Sequence, residues 1–435
     1  MTRVFISYSS KNRKQAKAVQ KSLEAAGLEV WRDQRKIEND WSAEIAQGLT
    51  QADLVCLLWS KEAAESRWLK NEWLTARALE KLIVPCLFTD APHLPAQIEN
   101  MQGVQFLDTP SGLRDLVQHF KRRTAFHWKY DFRAPPLRGY VPFAPDDEFT
   151  GRKQDLVEIY LKLIGQLNKI GINHVGIAGM GGVGKTELVI EFAHRFGFVF
   201  DGVYWLEAND TGQIAAALVR LARDRLSLEI DDPGKSGAAT RYTRALYSYA
   251  KKHPQMLLIL DNVAEPISLT KPSLANGHFG PLDLGCNLLF TTRIEVEIKS
   301  VIPHALEVIA PEFAFDLLTR GRRPEDSQET SAAREITNAV GYLPLALALI
   351  GSHLRKFPHI SYVHYLATLR QQKLGAIDAT KIDRSELATR HQAAVGATLD
   401  SQWKALRGPA AKLALKVAAH FPEGAVIPVR ASACL

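Results

Sequence analysis

The sequence predicts an α/β chain: two parallel-sheet units in series, followed by a largely helical region. Three observations predict it. Apolar, β-rich runs alternate with stretches of helical spacing from residue 4 to residue 88, and again from 174 to 293. A glycine-rich turn sits between a strand and a helix at the head of the second series. After about residue 310 the strand-like runs stop. Near-continuous apolar strands separated by helices imply a parallel sheet covered on both faces.

Length and composition bound the reading. The chain has 435 residues, and at about 150 residues per domain this suggests roughly three domains. Hydrophobic residues at 46% and charged residues at 23% exclude a disordered, collagenous or coiled-coil chain. No apolar run reaches about 18 residues, so no membrane-spanning helix is expected. The opening MTRVFISYSS lacks the apolar stretch of a signal peptide. The four cysteines, at 56, 86, 286 and 434, form no C-x-x-C pair, so neither a disulfide framework nor a zinc site is expected. These features together predict a reducing, cytoplasmic location. The net charge of +7 could suit a polyanion. It is read instead as spread over a large surface, with a local basic and aromatic run over 119–133. That run could suit single-stranded nucleic acid, but it is read as part of a linker, and direct nucleic-acid binding is not expected. The 13 histidines show no H-E-x-x-H spacing and receive no site.

In order along the chain, VFISYS (4–9) is a strand, 14–26 a helix stopped by Gly27, and LEVWRD (28–33) a second strand. A helix over 41–51 leads to the strand DLVCLLWS (53–60). A helix over 66–80 then leads to LIVPCLF (82–88). The first domain is expected over 1–125. Residues 126–148 carry Pro135, Pro136, Pro142 and Pro145 among aromatics and read as a linker, because proline defeats both helix and central strand. A second domain is expected over 149–310. It has a helix (153–168), the strand HVGIAG (174–179), a helix (185–196) and three more strands, GVYWLEA (202–208), MLLILDNV (256–263) and NLLFTTR (287–293). A helical subdomain over 311–395 follows, then a last segment over 396–435.

The strongest chemical signal is Gly179-Met180-Gly181-Gly182-Val183-Gly184-Lys185-Thr186. It fits G-x-x-x-x-G-K-[ST] between a predicted strand and a predicted helix. Such glycines let backbone N–H groups cradle phosphate oxygens at a helix N-terminus. Lys185 is expected on the β- and γ-phosphates, and Thr186 on Mg²⁺. Asp261, ending the apolar run MLLIL, is the expected second Mg²⁺ contact.

These residues resemble the NB-ARC module of STAND ATPases, and the resemblance covers Phe149 to about residue 420. FTGRKQDL (149–156) is similar to the family's opening motif and implies Arg152 near the adenine. LLILDN (257–262) resembles its Walker B strand. FTTR (290–293) resembles its sensor strand and implies that Arg293 senses the γ-phosphate. GYLPLAL (341–347) resembles its GLPLA motif and implies Pro344 against the base. Two departures stand out. Asn262 occupies a position where many members carry a second acid, and an amide cannot act as a base on water. The implied behaviour is therefore nucleotide binding with slow hydrolysis. ATLDSQWKAL (397–406) resembles the opening of the family's winged-helix domain, apparently incomplete here, and the family's later histidine motif and C-terminal repeat sensor are not visible.

Residues 1–125 resemble a TIR domain, on VFISYSS (4–10), WRD (31–33) and S-x-W-x-x-x-E (66–72). The resemblance implies a flavodoxin-like fold. Trp68 and Glu72 are four apart and so neighbours on one helix face. An indole beside a carboxylate suits a planar cation over a sugar. Cleaving NAD⁺ needs no general acid, because nicotinamide is already a cationic leaving group. One carboxylate can stabilise the oxocarbenium-like transition state. Glu72 matches the catalytic glutamate of TIR NADases, and Trp41 matches an aromatic of their pocket. Tyr8 and Ser9 are placed with Trp41 and Trp68 in the NAD-binding set; some NADases have Arg at the position of Ser9. Asp33 is read as a structural loop residue.

The function implied is NAD⁺ cleavage to nicotinamide and ADP-ribose or a cyclic isomer, gated by an ATP/ADP-dependent oligomerisation switch. Self-association would run through both domains, as in bacterial antiphage factors. The alternative is a non-catalytic TIR scaffold with a nucleotide-dependent assembly switch. A third reading, an NTP-dependent transcription regulator, would need a complete DNA-reading winged helix.

Overall fold

A computed structural model of the chain describes residues 2–32, 43–96, 98–99, 101, 103–123, 137–146, 148–164, 172–208, 211–231, 233–270 and 280–378. Asp33, Trp41, linker residues 126–136 and the winged-helix segment lie outside the described residues.

The first unit runs β1 (Arg3–Ser7), α1 (Arg13–Ala25), β2 (Glu29–Arg32), α2 (Ala43–Gln51), β3 (Leu54–Trp59), α3 (Lys61–Glu65), α4 (Arg67–Ala78), β4 (Leu82–Leu87), β5 (Val104–Gln105) and α5 (Pro110–Arg123). Its five strands are all parallel, in the order β2-β1-β3-β4-β5. This is the flavodoxin-like arrangement, and the chain reverses direction across the sheet between β1 and β3. Strand alternation sorts the side chains onto two faces. Val4, Ile6, Leu54, Cys56 and Leu58 pack with α1 and α5 residues such as Val19 and Phe120. Phe5, Val55, Leu57 and Trp59 pack with Leu49 of α2 and Trp73 of α4.

The second unit runs β6 (Gly139–Tyr140), α6 (Lys153–Ile164), β7 (His174–Ala178), α7 (Lys185–Phe196), β8 (Gly202–Glu207), α8 (Thr211–Arg220), α9 (Ala238–Lys252), β9 (Met256–Val263), β10 (Asn287–Thr292) and β11 (Ile302–Ala305). The six strands are again all parallel, in the order β11-β7-β10-β9-β8-β6. Leu257, Ile259 and Trp205 face α6 and α7; Leu258, Leu260 and Phe290 face α8 and α9. Then come α10 (Pro311–Thr319), α11 (Ser327–Ala339), α12 (Pro344–Lys356) and α13 (Tyr362–Asp378). Glu329 ties this helical region together, accepting from Arg322 at 3.1 Å and from the Tyr362 N–H at 3.2 Å.

The alternation of elements is as predicted, with strand ends trimmed by one or two residues. The helix expected over 66–80 is α4, and a short helix that was not expected, α3, precedes it. Ser60 caps α3, and Ser66 ends it and caps α4, accepting from Leu69 N–H at 3.3 Å. Three strands went unpredicted, β5, β6 and β11, as did the helices α5, α8 and α9. The three strands are short edges with too little apolar alternation to show in sequence.

The two units pack through the α2/α4 side of the first and the α6/α7 side of the second, which form one contiguous apolar cluster. Just past α4, Glu80 accepts from Lys153 at 3.2 Å and from Arg195 at 2.9 Å. Burial works against the Glu80 charge, but the Arg195 and Lys153 partners hold its carboxyl below the ordinary value. Next to it, Lys81 donates to the Thr50 carbonyl at 2.7 Å. Burial, and then the charge of Lys153, pull the Lys81 ammonium down to about 8.

A stability prediction follows from Lys81. Because its folded pKa lies below its unfolded one, the unfolded chain binds more protons between about pH 8 and pH 10. Stability contributed by this site therefore rises with pH through that window. With solvent screening the increment is on the order of 1 kcal/mol. Urea unfolding of wild type and Lys81→Met across pH 7.5–10 checks it: the variant is expected to lack the increment, and identical slopes would refute the assignment.

Candidate functional site

Two sites form at the C-terminal edges of the two sheets, where open α/β folds bind ligands.

In the second unit the loop from Gly179 to Thr186 joins β7 to α7. Gly184 caps α7 with φ +97°, and Gly182 has φ +78°, conformations open to glycine at little cost. The loop is held from two sides. Arg152, buried at 6% exposure, donates to the Val183 carbonyl at 2.8 Å and pairs with Asp155 at 3.4 Å. The Leu345 N–H, in the first turn of α12, donates to the Gly182 carbonyl at 3.1 Å. Lys185 lies across the loop, donating to the carbonyls of Gly179 at 2.7 Å and Met180 at 2.9 Å.

On the neighbouring strands, Thr186 Oγ1 lies 3.1 and 3.2 Å from the two Asp261 oxygens. Thr291 on β10 donates to Asp261 at 2.6 Å, and accepts from the Asn262 N–H at 2.8 Å. Asn262 itself is left-handed, φ +61°. Burial pushes the Asp261 carboxyl up, against hydrogen bonds from Thr291 and Thr186 that favour its charge. A threonine hydroxyl and a half-buried carboxylate converging in this way fit a hard divalent cation, which would offset that burial.

Around these groups lies a cavity of about 790 Å³. Apolar walls come from Phe143, Phe149, Ile309, Leu317 and Pro344; polar groups come from Lys185, Thr186, Asp261 and Arg293. The volume and mixed lining suit a nucleotide. Every nucleotide-site residue expected from sequence except Gly179 lines this cavity, and Gly179 begins the loop. Arg152 lines it too, with its guanidinium engaged by Val183.

Among the lining residues that sequence reasoning missed are Phe143, Arg320 and Glu207. Phe143 stands edge-on to Trp205, ring centroids 5.3 Å apart. Arg320 of the α10 end pairs with Asp146 at 3.4 Å and Glu148 at 3.1 Å. Glu207 ends β8. Burial, and then the Asp261 charge, push the Glu207 carboxyl up. Only Glu207 carried a sequence signal, as an acid closing an apolar strand.

In the first unit, Glu72 of α4 is 8% exposed, and Ser7 at the end of β1 donates to its Oε2 at 2.6 Å. That length is typical of a hydroxyl bound to a carboxylate. Trp68, one turn earlier, is partly buried against the same apolar cluster. Of the other residues expected here, Trp41 lies outside the described residues. Tyr8 belongs to the opposite face, with Val4 and Ile6. Its hydroxyl accepts from Arg32 at 2.8 Å, and the guanidinium lies 5.6 Å from its ring centre. Ser9 precedes a short 3₁₀ turn, and its carbonyl accepts from Asn12 N–H at 2.8 Å. The residue that meets Glu72 is thus Ser7, which shares the Phe5 face by alternation. That signal was present in VFISYS and was passed over.

Comparison with known proteins agrees with both halves. A family model described as TIR domain matches residues 4–119, and one described as NB-ARC domain matches 155–327. The chain is a TIR–NB-ARC protein. A probable disease resistance protein of Arabidopsis thaliana is 28% identical over 270 residues, 59% of this chain and 28% of that protein. The regulatory protein AfsR of Streptomyces griseus is 29% identical over 48% of this chain and 21% of its own length. The TMV resistance protein N of Nicotiana glutinosa is 22% identical over 85% of this chain and 35% of its own length. The TIR–NB-ARC chain thus spans about a fifth to a third of the curated relatives it matches. No helix among the described residues is long and apolar enough to cross a membrane.

In this TIR–NB-ARC chain, Gly182 is the position where loop geometry and the helical region meet. A Cβ there would lie 2.9 Å from Leu345 Cβ, on a backbone at φ +78°. Gly182→Ala is expected to weaken binding of a fluorescent ADP analogue about ten-fold and to cost about 1–2 kcal/mol of stability. Fluorescence titration and thermal unfolding check both; unchanged affinity would show that the contact is dispensable.

Proposed function

We propose that the TIR domain cleaves the nicotinamide–ribose bond of NAD⁺, and that ATP or ADP bound in the NB-ARC domain gates this activity by controlling assembly. The observation that carries the reading is the buried Ser7–Glu72 pair at the C-terminal edge of the first sheet. A carboxylate held by a hydroxyl in a mostly dry site can stabilise developing positive charge on the ribose. The C1′–N bond breaks, and its electron pair neutralises the pyridinium nitrogen of departing nicotinamide. Water adds to C1′ and releases a proton, giving ADP-ribose; attack by a group of the same molecule gives a cyclic isomer. Ser7 acts as a positioning residue for Glu72, and Trp68 offers an indole face one turn away. Trp41 belongs to the same proposed pocket. Tyr8 and Ser9 take a supporting place at the β1 end.

In the NB-ARC domain, Lys185 and the loop amides hold the phosphates, and Thr186 with Asp261 holds Mg²⁺. Arg293 meets the γ-phosphate, and Pro344 and Arg152 flank the base end. Mg²⁺ supplies charge neutralisation on the phosphates. Tethered TIR domains gathered by the switch meet at a far higher effective concentration than free ones. The setting proposed is cytoplasmic immune signalling of the antiphage type. The resistance proteins among the relatives and the linked TIR and NB-ARC domains support it.

Nicotinamide release by the full chain, at high protein concentration with a crowding agent and ATP, tests the proposal. Glu72→Ala is expected to lower turnover at least about 100-fold, and Ser7→Ala about ten-fold with NAD⁺ affinity little changed. Turnover unchanged in Glu72→Ala would sink the assignment. No turnover by wild type under these conditions would favour the scaffold.

A further inference from the structure

We infer that Glu207 is the carboxylate that activates water for ATP hydrolysis in the NB-ARC domain, standing in for the acid missing at Asn262. The inference rests on the nucleotide-site reading and adds to it a catalytic group on a different strand.

Strand register makes the case. Glu207 ends β8 directly opposite Asp261 on β9, and the Ala208 N–H donates to the Asp261 carbonyl at 2.9 Å. Alternation puts Val203, Trp205 and Glu207 on one face, and Leu257, Ile259 and Asp261 on the same face of the next strand. That is the face covered by α7, whose first residues are Lys185 and Thr186. Both carboxylates therefore emerge on the side where the phosphates would lie, and both line the cavity. Asn262 falls on the other parity, with φ +61°. Its amide has no basic lone pair to take a proton.

Thr186 and Thr291 hydrogen-bond Asp261, which commits it to the cation. Glu207, exposed at the end of its strand, makes no side-chain hydrogen bond among the described residues and is the one inferred to serve the water. Glu187, one residue past Thr186, is the rival. It too lines the cavity, but it sits on α7 rather than on the strand paired with Asp261. In the step inferred, the water oxygen attacks the γ-phosphorus while Glu207 takes the water proton. The bond from the γ-phosphorus to the bridging oxygen breaks, and ADP leaves with its electron pair.

Single-turnover phosphate release from ATP and Mg²⁺ by the full chain, beside affinities for fluorescent ATP and ADP analogues, decides the matter. Glu207→Gln is expected to slow release about 100-fold while affinities stay within about two-fold. Glu187→Gln is expected to keep the wild-type rate, and adding Asn262→Glu to Glu207→Gln to restore none of the loss. Three results would overturn the inference: wild-type release in Glu207→Gln, the loss appearing in Glu187→Gln instead, or a wild type that binds ATP without releasing phosphate. A wild type that binds neither nucleotide would refute the nucleotide-site reading itself, a separate failure visible in the affinities alone.

Discussion

The second unit depends on how one loop is held. A phosphate loop is a run of backbone whose amides must point inward, and glycine lets it turn but does not fix it. Two hydrogen bonds do that here: Arg152 to the Val183 carbonyl and Leu345 N–H to the Gly182 carbonyl. The first draws on α6 and the second on α12. The loop conformation, the entrance to α6 and the start of the helical region are therefore one mechanical unit. Charge and burial reinforce it. Arg152 is costly to bury, and Asp155 beside it offsets that cost. A guanidinium can donate to both partners at once, which an ammonium at this place would do less well.

The same logic accounts for the polar cluster on the neighbouring strands. Asp261 is buried deeply enough to disfavour its charge, yet it is ringed by donors rather than by apolar groups. Thr186 comes from α7, Thr291 from β10 and the Asn262 N–H reaches Thr291. Three elements thus converge on one carboxylate, and the left-handed turn at Asn262 is what allows the backbone amide to face that way. A turn that directs an amide inward also directs the side chain off the strand parity. The position following the aspartate is then poorly placed to serve as a base, whatever its chemistry.

Much of this was legible in the sequence, because the relevant signals are local. A phosphate loop is contiguous, apolar runs mark central strands, and GYLPLAL announces a left-handed turn followed by a proline-initiated helix. What was not legible depends on pairing between distant segments. Phe143 and Arg320 reach the cavity only because β6 pairs with β8 and α10 returns to the end of the linker. Ser7, the partner of Glu72, was overlooked beside Tyr8 for a different reason. Position along the strand was weighed and parity was not, although a one-residue step changes the face. The four-residue spacing of Trp68 and Glu72 says nothing of burial, and only the packing of α4 over β1 shows Glu72 buried.

The two sites share structure at one place. The helix that carries Glu72 ends at Ala78, and Glu80, just past it, meets Arg195 near the end of the helix that begins at Lys185. Ion pairs of this exposure contribute about 0–1 kcal/mol each. Inverting a two-state population from 1:99 to 99:1 requires roughly 5.5 kcal/mol of differential binding. Glu80 with Arg195 and Lys153 therefore sets the register of the two units but cannot alone hold them together. The apolar surface between α2, α4, α6 and α7 must carry most of that free energy, since burial contributes roughly 25 cal/mol per Å². Any communication between the carboxylate of the first site and the phosphate loop of the second has to work against that apolar contact. It would act as a rigid-body change of two packed units rather than as the breaking of one charge pair.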